Sequence, residues 1–66
     1  HNTIERFLRN IGVEQNLLVN VELIEHNVTG NALSKIELLN RFLDENPEIM
    51  EKYGIFKQTC EKDTAK

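Results

Sequence analysis

Ile4, Phe7, Leu8 and Ile11 recur at i, i+3, i+4 and i+7. That spacing places four apolar side chains on one face of an α-helix. Gly12 follows, as the residue that most easily takes the left-handed turn closing a helix. Asn2 and Glu5 supply a cap and its reciprocal partner at the start. The same helical period returns in Leu17, Val21, Ile24 and Val28, and again in Ile36, Leu39 and Leu43, with Leu38 and Phe42 widening that stripe. Strand-like alternation is confined to Val19–Leu23. No second alternating run is present to pair with it, and an unpaired strand leaves its backbone polar groups unsatisfied. The expected fold is therefore all-α.

The few helix breakers divide the chain. Ser34 followed by Glu37 reads as a capping box. Pro47 stops one helix, because the residue before proline is pushed out of helical geometry. It also starts the next helix, where a missing N–H costs nothing, and Asn46 stands ready to cap that restart. Gly54 reads as its end. These signals predict a compact bundle of four short helices, at approximately 3–11, 13–27, 34–45 and 47–53. Residues 1–60 form a single small domain and 61–66 a polar, frayed tail.

A chain of 66 residues has little interior per unit of surface. With a single cysteine, Cys60, it has no intrachain disulfide to add support. One cysteine and two histidines are too few for a structural zinc site. The acidic cluster Asp44, Glu45, Glu48 and Glu51 lacks the spacing of a calcium loop and reads as a solvated corner, as Arg6 and Arg9 read as solvated cations. No metal and no cofactor are expected. His26 and Cys60 lie far apart in sequence and outside any catalytic motif, so no catalytic residue is assigned and an enzyme is not expected. Asn27-Val28-Thr29 matches a glycosylation acceptor, but Asn27 and Gly30 read better as turn residues. No stretch is long and apolar enough to span a membrane, and an intracellular setting is the expectation.

Two partner classes remain. Leu17, Leu18, Val21, Leu23, Ile24, Leu38 and Phe42 are more apolar surface than so short a chain is expected to bury alone, and leftover apolar area on a folded domain marks a partner. The first expectation is accordingly a non-catalytic protein-interaction or dimerisation domain of a larger protein, binding itself as a homodimer or another protein. The alternative is a homeodomain-like or helix-turn-helix-like nucleic-acid-binding domain acting as a dimer, with Lys35, Arg41, Lys57 and Lys62 meeting phosphate. The formal charge of −3, from 11 acidic and 8 basic residues, weighs against it, since nucleic-acid affinity is largely electrostatic. A short helix starting at Pro47 would also carry Glu48 and Glu51 into the groove, behind Asp44 and Glu45.

The cadence of "FLRNIGVEQ", "NVTGNAL" and "EIMEKYGI" is similar to that of sterile alpha motif domains. The matching positions are Phe7, Leu8, Gly12, Gly30, Leu33, Ile49, Tyr53, Gly54 and Ile55. That resemblance implies a small helical interaction module. The interval from Gly30 to Gly54 is longer than the pattern, the tyrosine after the first turn is missing, and a polar tail stands where a long last helix would follow. The chain is not assigned to that family.

Overall fold

The computed structural model describes residues 2–64. It is an all-α bundle of four helices: α1 (Asn2–Asn10), α2 (Leu17–Glu25), α3 (Gly30–Glu45) and α4 (Pro47–Thr64). The short α1 is the hub, packing against both α2 and α3, while α4 packs against α3. Ile4 and Leu8 of α1 and Val21 of α2 are the buried apolar centre. Phe7, Ile11, Val13, Leu17, Ile24, Leu33 and Ile36 close around them. The radius of gyration is 13.2 Å, against about 11 Å for a compact domain of this length.

Gly12 does what its position predicts. Its φ is +93°, Val13 N–H donates to the Leu8 carbonyl at 2.8 Å and Gly12 N–H to the Arg9 carbonyl at 3.1 Å. That pair of bonds is the Schellman closure of a helix. It also explains why α2 starts at Leu17 rather than at residue 13. Val13 is spent on closing α1, and Asn16 then takes the left-handed conformation at φ 55°, which asparagine tolerates better than most residues.

The start of α3 is a clearer departure. The helix begins at Gly30, four residues before the predicted cap at Ser34. Thr29 is the cap: its backbone is extended and its Oγ1 accepts from Ala32 N–H at 3.2 Å. Thr29, five residues before Ser34, offers the same chemistry, and the outer cap wins because each added turn gains backbone bonds. Glu37 is thereby released from capping. It accepts from Thr3 Oγ1 at 3.1 Å and faces Arg6 at 3.5 Å.

At the other end α3 stops at Glu45 and α4 starts at Pro47, as the proline requires. Asn46 does not use its amide to cap α4; its Nδ2 donates back to the Phe42 carbonyl at 2.8 Å. Gly54 does not end α4, which runs on to Thr64 through most of the expected polar tail. Residues 65 and 66 of that tail lie outside the described residues, as does the side chain of Asn2, whose backbone is already helical.

One buried residue is polar. Asn40 is fully buried, donates from Nδ2 to the Thr3 carbonyl at 3.0 Å, and accepts from Asn10 Nδ2 at 3.3 Å. Among the described residues no buried side-chain nitrogen or oxygen lacks a partner. The Asn40 amide thus ties α3 to both ends of α1 and fixes how the two helices sit, because a slide of either would strand a buried polar group.

Candidate partner and nucleic-acid surfaces

The seven residues predicted to bind a partner divide into two sets. Val21 is buried in the core, and Leu17 and Ile24 are half-buried beside it. Their seam faces α1 of the same chain, so these three are packing residues. Leu18 (69% exposed), Leu23 (60%), Leu38 (56%) and Phe42 (49%) do face solvent. They are joined by Val19 and Leu39, and on α4 by Tyr53, Ile55 and Phe56, which sequence reasoning had placed in a short contact helix and a tail. The signal that could have found the last two was there: Ile55 and Phe56 are large apolar residues beyond the helix's expected end.

A half-open apolar pocket of about 260 Å³ lies where α1, α3 and α4 meet. Ile11, Leu39, Leu43, Ile49, Met50 and Tyr53 line it, with Asn10 at the side. A shallower and more polar depression between α1 and α3 is lined by Thr3, Ser34, Glu37 and Arg41, with Leu33 and Leu38.

The four cations predicted to meet phosphate are not gathered on one face. Lys35 and Arg41 are exposed on α3, and Lys62 is exposed near the end of α4. Lys57 turns inward and lies half-buried over the α1 turn, where a Cβ built on Gly12 would collide with its Nζ. Lys52 is exposed on α4, and the two arginines of α1 are engaged: Arg6 pairs with Glu37 and with Asp44, and Arg9 pairs with Glu5 at 2.9 Å one turn earlier. Asp44 therefore leaves the expected solvated cluster, and Arg6 and Arg9 are not simply solvated cations. Glu45, Glu48 and Glu51 remain exposed around the α3–α4 corner.

The helix junctions differ as well. A helix-turn-helix joins its two helices by a turn of three or four residues. Residues 26–29 between α2 and α3 have that length, whereas Asn46 alone separates α3 from α4. The α3–α4 pair, already disfavoured as a helix-turn-helix by Glu48 and Glu51, also lacks a turn of that length.

His26 caps the C-terminal end of α2, with its Nε2 3.4 Å from Glu22 Oε1 one turn back, both side chains well exposed. Cys60 is exposed on α4. Among the described residues no three of His, Cys, Asp and Glu converge as a set that could hold a metal ion. No helix among them is long and apolar enough to cross a membrane.

The fold and its surfaces define an all-α unit with extensive exposed apolar faces. Comparison with known proteins adds the particular relative. The chain is 42% identical over 53 residues to the HTH-type transcriptional regulator MntR of Lysinibacillus sphaericus (strain C3-41). The match covers 79% of this chain and 38% of the relative, so the chain spans about two fifths of that regulator's length. No family model matches, and no solved structure matches.

This match overturns the first functional expectation, a protein-interaction or dimerisation domain as the chain's function. The similar protein is a transcriptional regulator of the helix-turn-helix type, which favours the nucleic-acid alternative. The expectation weighed the apolar surface and net charge of these 66 residues, and neither outweighs a likeness to a transcriptional regulator over most of the chain.

Proposed function

We propose that this chain is part of a helix-turn-helix-type transcriptional regulator that acts on DNA, and that it serves that role without catalysing a reaction. The observation that carries this reading is the 42% identity over 53 residues to a regulator of that type. An identity spread over 79% of the chain reaches beyond one helix or one stripe, so it is not a chance likeness of amphipathic helices.

Within this portion, Lys35 and Arg41 on α3 are exposed and available to phosphate, as are Lys52 and Lys62 on α4. Lys57 is withdrawn over Gly12. The α3–α4 corner, with Glu45, Glu48 and Glu51 exposed, is the side that phosphate repels.

The test is a selection from random duplex DNA by the natural-length polypeptide that carries these residues. A defined sequence should be enriched, and binding should weaken steeply with salt. If no sequence is enriched, the reading is wrong. Lys35→Ala and Arg41→Ala in the same polypeptide then measure this portion's own share. A residue that meets phosphate lowers the salt slope by about 1 on removal; an unchanged slope places the phosphate contacts elsewhere in the regulator.

A further inference from the structure

α4 is supported unevenly along its length. In its first two turns Ile49 and Met50 are half-buried at the pocket shared with α1 and α3. From Glu51 to Lys62 every residue except Lys57 is exposed, and Ile55 and Phe56 are exposed by 63% and 64%. A helical stretch shorter than about 12–15 residues is marginal in water unless one face is packed, and the outer half of α4 meets the body of the fold chiefly through Lys57, half-buried over the α1 turn.

Gly54 stands at the division, and nothing around it requires a glycine. It lies inside the helix without a positive φ, and a Cβ built there meets nothing within 4 Å. Gly12 is the contrast: its φ of +93° and the Lys57 side chain above it both exclude a Cβ. With backbone and packing reasons absent, the effect of Gly54 that remains is on helix stability, which it lowers about fivefold relative to alanine. A second weakening follows in the next turns. Thr59 Oγ1 donates back to the Ile55 carbonyl at 3.1 Å, a contact that competes with the helix backbone.

We propose that Gly54 is a built-in break point, and that residues 55–62 open and close as a unit separate from the body formed by α1, α2 and α3. Local units of this kind exchange their amides through openings that leave the rest of the fold intact. The sequence-level stop signal at Gly54 and the continuous helix of the structure then describe the open and closed states of one segment.

Residue-resolved amide hydrogen exchange on the 66-residue chain tests this. Amides of 55–62 should be protected at least about tenfold less than those of 4–8 in α1. Gly54→Ala should raise protection across 55–62 about fivefold and leave α1 unchanged. Gly54→Pro should abolish protection in 55–62 while α1 stays protected. Three results would overturn the proposal: equal protection in α1 and 55–62, no response of 55–62 to Gly54→Ala, or loss of α1 protection in Gly54→Pro.

Discussion

α1 and α4 show that length does not decide how firmly a helix is held. α1 has nine residues and α4 has eighteen. Yet α1 buries Ile4 to 1% and Leu8 to 5% exposure, while α4 leaves Ile55 and Phe56 largely in solvent. The difference lies in what each apolar face meets. Ile4, Phe7, Leu8 and Ile11 keep one stripe, and α2 and α3 pack against α1. In α4, Ile49, Tyr53 and Phe56 also fall at i, i+4 and i+7, with Met50 beside them and Ile55 off the stripe, yet only Ile49 and Met50 are half-buried. A helix is integrated by the neighbours its apolar face meets more than by the number of turns it makes.

The largest effect that this contrast predicts is at its centre. Ile4→Ala removes a buried side chain from the contact of α1 with its neighbours. It should cost about 3 kcal/mol, enough to unfold much of a small domain. Urea denaturation followed by circular dichroism measures it. A loss below about 1 kcal/mol would mean that α1 is not the hub.

Asn40→Ala comes next, at about 2 kcal/mol by the same measurement. It deletes a fully buried amide and leaves Asn10 without its acceptor, and a stranded buried polar group costs more than the bond itself was worth. The surface ion pairs between α1 and α3 offer no such leverage. Arg6 and Glu37 are each more than a third exposed and 3.5 Å apart, and pairs of that kind contribute little.

Much of this fold was legible in the sequence. The all-α class, the stripe of α1, the closing turn at Gly12 and the break at Pro47 all follow from local rules that tertiary packing did not have to override. The errors came where two residues offered the same local chemistry. Thr29 and Ser34 can both cap, and only the extra turn gained decides between them. Thr29→Ala should therefore cost about 1 kcal/mol, and Ser34→Ala, inside the helix, should cost nearly nothing. Equal costs would restore Ser34 as the start. Asn40 was illegible for another reason: a polar residue beside an apolar stripe reads as solvated, and only the facing Thr3 and Asn10, distant in sequence, give it a buried place. The split of the predicted partner residues into core and surface sets was equally hidden. A seam of Leu17, Val21 and Ile24 looks the same whether it meets its own α1 or another chain.

The smallest expected effect is the one that most sharpens the comparison. Phe56→Ser removes a larger side chain than Ile4→Ala does. If exposure in α4 is as the structure has it, the chain's stability should change by no more than about 0.5 kcal/mol. The opposing terms are both small there: little apolar area is lost from burial, and serine lowers helix propensity by only a few tenths. A cost near that of Ile4→Ala would show that Phe56 is covered in solution and that α4 is held along its whole length. A negligible cost, beside a large one at Ile4, would show that one chain contains a firmly held helix and a loosely held one, with the difference set by what covers the side chains rather than by their size.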